Sequence, residues 1–422
     1  MHQMFNFHRL LDYMIDRTNQ RKTYRLLSFI RTEVYTANPV NFEYILTTNF
    51  ANYGKGWFHH SVLSDFLGDS IFTMDGEQWR HQRKAASYQF STKMLREFSI
   101  QVQCSNTCRD SCKTASQNKA LLLFLNNHKS WSLLLLAYLQ DLFMKATLDS
   151  VCKVVLGVEL DTVCGTYKQG TEFSNAFDEV SAAIMYRYFK FLWRIIRFLN
   201  IGSEVVLNKS LRVIDEFVYE LIRTKIEQAQ KLQDNSPVRT KTDPKYLGDI
   251  SLSFILAGKD TISVTLSWFL YELCKNPHVQ EKIAQEIRQT TNVEAGSTID
   301  ELAARVTEEN REKMQYLNAA LNETLRLHPA VPVEGKFCFS DDTWPDRYSV
   351  RKGDLDEESW PDENGILKKE SPFKFTAFQN LRLNYCDIVV TQAGPRICLG
   401  KEFAYRQTAK KLECCCYERG SM

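Results

Sequence analysis

Residues 393–400 read Ala-Gly-Pro-Arg-Ile-Cys-Leu-Gly, which sets Cys398 between Gly394 and Gly400 and two residues after Arg396. Glycine lets the backbone take positive φ and come close to a bound group. A thiolate in such a loop can ligate iron, and a guanidinium beside it can pair with a carboxylate. The same spacing also suits a glycine-bounded turn around a buried cysteine. Ala257-Gly258-Lys259-Asp260-Thr261 lies in an apolar helical stretch. Small residues there would admit a flat group or dioxygen, and Asp260 and Thr261 could move protons. A buried helix with a capped polar pair is the plainer alternative. Glu323 and Arg326 are three apart on one helical face, and Trp79 and Arg83 are four apart on another. An indole N–H and a guanidinium on one side can reach a carboxylate. With Arg80 and Lys84 alongside, a solvated basic face explains them too.

Taken in order, A-G-x-D-T, E-x-x-R and G-x-R-x-C-x-G resemble the cytochrome P-450 superfamily of haem-thiolate monooxygenases. Within it the chain is most similar to the plant microsomal enzymes that ω-hydroxylate long-chain fatty acids. Asn52–Lys55, Trp79–Lys84 and Lys401–Gln407 support this. The resemblance implies a mainly α fold with small β-sheets, as one cytochrome P-450 domain over 1–422. It implies haem b (iron protoporphyrin IX) with Cys398 as the iron ligand. Trp79, Arg83 and Arg396 would reach its propionates, with Ala257, Gly258, Gly394 and Gly400 against it. Asp260 and Thr261 would carry protons, while Glu323 and Arg326 would be structural. Electrons would come from NADPH through a separate NADPH-cytochrome P-450 reductase, since no flavin or nucleotide domain is seen. Dioxygen and a fatty acid would be the substrates, at the endoplasmic reticulum membrane. Animal ω-hydroxylases often carry, where Ala257 stands, a Glu esterified to haem, so haem is expected here without that bond.

Composition narrows the alternatives. The chain has 422 residues, 44% of them apolar, and a net charge of +2. Bulk attraction therefore gives no reason to expect a nucleic-acid partner. Twelve cysteines without regular pairing read as mostly reduced thiols. Cys104, Cys108 and Cys112 recur along one helical face, but no histidine stands beside them to suggest zinc. A membrane span needs about 20 apolar residues. Met1–Arg17 has no such run, and Leu121–Leu139 is broken by Asn126-Asn127-His128-Lys129. The anchor usual in the resembled family is thus expected to be missing.

The positioning elements follow from local signals. Residues 22–35 read as two short strands, followed by a helix entered at Asn38-Pro39. Phe177–Leu199 has helical period and many aromatics, which fits core packing; the resemblance adds a substrate-channel roof that touches lipid. Gln228–Lys245 reads as an exposed linker, and Asp249–Leu270 as the best helix in the chain. Asn276-Pro277 opens another helix, Thr298 and Glu301 form a capping-box pattern, and His328-Pro329 ends the helix of Glu323.

The pattern also breaks. Residues 101–140 and 408–422 match the family poorly. Residues 341–354 fit a strand-and-turn region, after which a family segment is missing, including an Arg that would join Glu323 and Arg326. Asn380–Gln392 separates Phe378 from the cysteine loop, as an intron read as coding sequence would. These breaks support an alternative reading: an inactive product of a damaged gene or faulty gene model, with little haem binding.

Overall fold

The computed structural model describes residues 10–27, 32–90, 129–190, 192–232, 243–293, 301–302, 305–359 and 394–419. Cys104, Cys108, Cys112, Thr298, Phe378, Ala393 and the stretch 380–392 lie outside them. In chain order the helices are α1 (Leu10–Gln20), α2 (Pro39–Glu43), α3 (Gly56–Leu67), α4 (Gly76–Ser87), α5 (Lys129–Val155), α6 (Lys168–Phe189) and α7 (Trp193–Leu199). They continue with α8 (Ser203–Leu232), α9 (Pro244–Lys275), α10 (Pro277–Thr291), α11 (Glu308–Lys313), α12 (Gln315–Leu327) and α13 (Lys401–Arg419). The strands are β1 (Thr23–Leu27), β2 (Thr32–Thr36), β3 (Tyr53–Gly54), β4 (Val333–Cys338), β5 (Asp342–Thr343), β6 (Ser349–Val350) and β7 (Leu355–Ser359). This is the mainly α architecture with small sheets that the motifs imply.

Helix α9 organises the core. Asp243 caps it by accepting from Lys245 N–H at 3.0 Å, with Pro244 in the first turn. That cap and a last turn reaching Lys275 make the helix longer than the apolar stretch 249–270 suggests. It packs against α3, α5, α8, α10, α12 and α13. Ile255, Ile262, Leu266, Phe269 and Leu273 are fully or almost fully buried along it. A side chain at Gly258 would meet Val151 of α5 at 2.6 Å. The small residue therefore permits the close approach of two helices at this point.

The larger sheet runs β1-β2-β7-β4-β3. Only β2 and β7 pair in parallel, with Glu33 opposite Leu355 and Thr36 opposite Glu358. Strand β7 follows directly on Asp354, where the resemblance is expected to break, and sits between β2 and β4. A small apolar cluster of Val34, Ile45, Tyr53, Cys338, Trp344 and Val350 lies against this region.

Other expectations are refined. The paired strands and the helix capped by Asn38 appear as expected. The aromatic stretch 177–199 is two helices, α6 and α7. Phe177 and Trp193 are buried, whereas Phe198 is 87% exposed. The supposed linker loses Gln228–Leu232 to α8 and Pro244–Lys245 to α9. The Asn276 amide donates back to the Glu272 carbonyl at 2.9 Å and does not cap α10. Residues 129–140, read as poorly matching, begin α5, and Ala409 and Leu412 of the tail join the main core. No helix among the described residues is long and apolar enough to cross a membrane.

Arg187 ties three helices together. Its guanidinium donates to Glu204 of α8 at 3.0 and 2.6 Å and to the Val62 carbonyl of α3 at 3.0 Å. It also pairs with Asp65 at 2.9 Å, and Trp193 lies 5.1 Å from it. Burial would lower its pKa, but Glu204 and Asp65 outweigh that and raise it. Arg187→Ala strands the buried Glu204 carboxylate, and about 3–5 kcal/mol of stability should go with it. Urea unfolding measures this, and a loss below about 1 kcal/mol would show that the network contributes little.

Candidate functional site

The loop before α13 is pinned from two sides. Gly394 has φ of +69°, and a Cβ there would lie 1.9 Å from the Leu46 carbonyl oxygen. Both the conformation and the contact require glycine. Two residues on, Arg396 is buried. It donates to the Ile71 carbonyl at 3.3 Å and the Met74 carbonyl at 3.0 Å, and it pairs with Asp75. Its guanidinium lies 4.4 Å from the Trp79 ring centroid. Burial lowers the Arg396 pKa against the pull of Asp75 and Glu334. Asp75 also accepts the backbone N–H groups of Lys55 at 2.9 Å and Gly56 at 2.8 Å. One carboxylate thus joins the start of α4, the turn before α3 and the cysteine loop.

Trp79 and Arg83 share a face of α4, as their spacing predicts. Arg83 donates to the Ile397 carbonyl and lies 5.8 Å from the Trp79 centroid. Cys398 is a free, exposed thiol in a loop where Pro395 and Ile397 are exposed too and Arg396 is buried. Burial pushes the thiol up, while the Gly400 N–H, Arg83 and Lys401 act to lower it. Gly400 differs from Gly394: a Cβ there would meet Phe90 at an ordinary 3.4 Å.

Phe90 links this loop to α9. Its ring is 5.4 Å from Phe254 and 6.3 Å from Phe403. Phe254, Ala257 and Thr261 fall at i, i+3 and i+7, on one helical face. Ala257 is exposed in the middle of α9, between the half-buried Leu256 and Gly258. The Thr261 hydroxyl donates to the Ala257 carbonyl at 2.6 Å. Asp260 points elsewhere: it pairs at 3.1 Å with Lys259, which also pairs with Asp178 of α6. No hydrogen bond joins Asp260 to Thr261 among the described residues. Glu323 and Arg326 form the expected bond in bidentate form, at 2.9 and 2.6 Å.

A second charged group was not legible from the sequence. Glu334 of β4 pairs with both Lys55 and Lys336, the latter at 2.7 Å. Burial pushes the Lys55 ammonium down to about 8, against the pull of Glu334. Burial would raise the Glu334 carboxylate, but Lys336 and Lys55 hold it well below the usual range. Asp75 was missed as well. It sits at the N-cap of α4, where its side chain makes no cap bond and serves Lys55, Gly56 and Arg396 instead.

The family model described as Cytochrome P450 matches residues 6–355. Cytochrome P450 704C1 of Pinus taeda is 37% identical, with 96% of this chain and 82% of that protein covered. Cytochrome P450 704B1 of Arabidopsis thaliana is 33% identical, covering 98% of this chain and 86% of the relative. Cytochrome P450 94A1 of Vicia sativa is 29% identical, covering 95% and 79%. The chain belongs to the cytochrome P450 family, whose members are haem-dependent monooxygenases.

The residues present fit a haem. Cys398 offers an exposed thiol, the Arg396 Nε is buried without a hydrogen-bond partner among the described residues, and Arg83 spends one N–H on the Ile397 carbonyl beside the Trp79 ring. Donors of this kind suit carboxylates beside a thiolate-held iron. The two glycines of the loop separate the structural demands. Gly394→Ala should cost about 2 kcal/mol or more, from an unfavourable φ and a backbone clash. Gly400→Ala should cost well under about 1 kcal/mol. Urea midpoints of the two variants test this, and equal losses would contradict the docking described for Gly394.

Proposed function

We propose that this chain is a haem-thiolate monooxygenase that hydroxylates the terminal carbon of a long-chain fatty acid. Dioxygen is the co-substrate, and electrons come from NADPH through a separate NADPH-cytochrome P-450 reductase. The observation that carries this reading is the pinning of Cys398 by Arg396, with Phe90 joining its loop to the face of α9 that holds Ala257 and Thr261. In this reading Cys398 holds the iron of haem b, and Trp79, Arg83 and Arg396 hold its propionates. Ala257, Gly394 and Gly400 border it. The bound haem supplies the oxidative chemistry, with O–O cleavage favoured by a thiolate ligand.

The chain's own groups position and protonate. Arg83 and Lys401 favour the thiolate form of Cys398 against burial. Thr261 holds a proton on Oγ, bonded to the Ala257 carbonyl, on the face that turns toward the cysteine loop. Asp260 lies on a different face beside Lys259, and in this reading it is the outer member of the relay and Thr261 the inner carrier. Glu323 and Arg326 fix the end of α12 and touch no substrate.

The acyl substrate is supported by the resemblance of the motifs and by the apolar surface around α7. Ile195, Phe198, Leu199 and Ile201 are exposed there, with Arg194 and Arg197 among them. Such a surface suits lipid-rich surroundings, as at the endoplasmic reticulum membrane.

With a reductase and NADPH, a long-chain fatty acid should yield its ω-hydroxy acid, identified by mass spectrometry. Thr261→Ala should retain haem yet form product about 10²–10⁴-fold more slowly, with electrons lost as hydrogen peroxide. Unchanged product per NADPH in that variant would exclude a relay through Thr261.

A further inference from the structure

A fatty acid oxidised at its far carbon keeps its carboxylate a full acyl chain away from the cysteine loop, so the group that holds that carboxylate belongs elsewhere in the fold. Residues 187–197, where α6 gives way to α7, carry four cations: Arg187, Lys190, Arg194 and Arg197. Arg187 is met by Glu204 and Asp65, and Arg197 shares Asp65. Lys190 lies 5.1 Å from the Tyr186 ring. The exposed Arg194 lies 4.8 Å from the ring of Trp57 and 5.6 Å from that of Trp193. Among the described residues no carboxylate pairs with Lys190 or Arg194, and no oxygen accepts from the Arg194 guanidinium. Trp57 stands at the start of α3 and is 54% exposed. Its ring meets Phe58 at 5.9 Å and Phe337 of β4 at 6.4 Å. Phe58 belongs to the main core and packs on Tyr188 of α6 at 5.8 Å. An outer cation followed inward by aromatic rings matches the two ends of a fatty acid, an anionic head and an apolar chain. A planar guanidinium suits the head, because it grips a carboxylate through two parallel N–H bonds.

We propose that Arg194, seated over Trp57, binds the carboxylate of the fatty acid, with the first methylenes against Trp57 and Phe337. The site rests on the fatty-acid reading above and adds to it a specificity-determining residue on α7. It accounts for a cation that the neighbouring carboxylates leave aside, since Asp65 and Glu204 are already engaged by Arg187 and Arg197. The competing anion is a lipid phosphate, because exposed apolar residues surround Arg194 on α7.

Arg194→Gln and Arg194→Lys in the full chain test this. Palmitate and methyl palmitate binding are compared by calorimetry, and binding to vesicles of phosphatidylcholine and phosphatidylserine by co-sedimentation. Urea unfolding establishes that both variants are folded. Arg194→Gln should weaken palmitate about tenfold and leave methyl palmitate unchanged. Arg194→Lys should recover only part of the loss, because a point charge lacks the guanidinium fork. Equal losses for acid and ester, or palmitate binding that the variant leaves unchanged, overturn the proposal. A loss confined to the vesicles does so too, and assigns Arg194 to a lipid surface. A parent chain that binds no palmitate also overturns it. If the parent binds palmitate through Arg194 yet forms no ω-hydroxy acid, the hydroxylation reading fails and the carboxylate site stands.

Discussion

The pairing of Arg396 with Asp75 is the constraint on which the site depends. A guanidinium this deeply buried is costly unless its charge and N–H groups are met. Here they are met by Asp75, two carbonyls and the face of Trp79. Because Asp75 also accepts from Lys55 and Gly56, moving the cysteine loop would disturb α4 and the turn before α3 together. Gly394 acts from the other side, where a glycine backbone lies against the Leu46 carbonyl. Cys398 follows both anchors by a few residues, so its position is set by contacts that are not its own.

The second constraint is α9. Its buried face fixes it among α3, α5, α8, α10, α12 and α13, and Gly258 lets α5 come close. The face carrying Phe254, Ala257 and Thr261 is then held toward the cysteine loop through Phe90. The side chains of Thr261 and Asp260 leave α9 on two different faces. Thr261 is bonded within α9 itself, whereas Asp260 joins the ion pairs that reach α6.

Much of this was legible in the sequence where the signal is local. The helical period of 249–270, the proline stop after His328 and the spacings of Trp79–Arg83 and Glu323–Arg326 all hold. Signals that need a distant partner were not legible. Nothing near Asp75 announces an arginine more than 300 positions away, and nothing near Glu334 announces Lys55. The parallel pairing of β2 with β7 is equally non-local, and each strand is only five residues long. Gly258 shows a different limit: a glycine in a helix signals a close approach but does not name what approaches. The expectation of little haem binding drew on the displaced Phe378 and 380–392, which lie outside the described residues, and equally on the segment expected to be missing after Asp354 and on the poorly matching 408–422. Among the described residues, the start and part of the tail of α13 pack into the core.

Cys398, placed by the Arg396–Asp75 pair, is the thiolate we propose to hold the iron. The most direct test is the carbon monoxide difference spectrum of the reduced full-length chain, compared with Cys398→Ala. The parent should give a thiolate-type band, and the variant should lose it completely. A histidine-type band in the parent, or a thiolate band that survives Cys398→Ala, would contradict it.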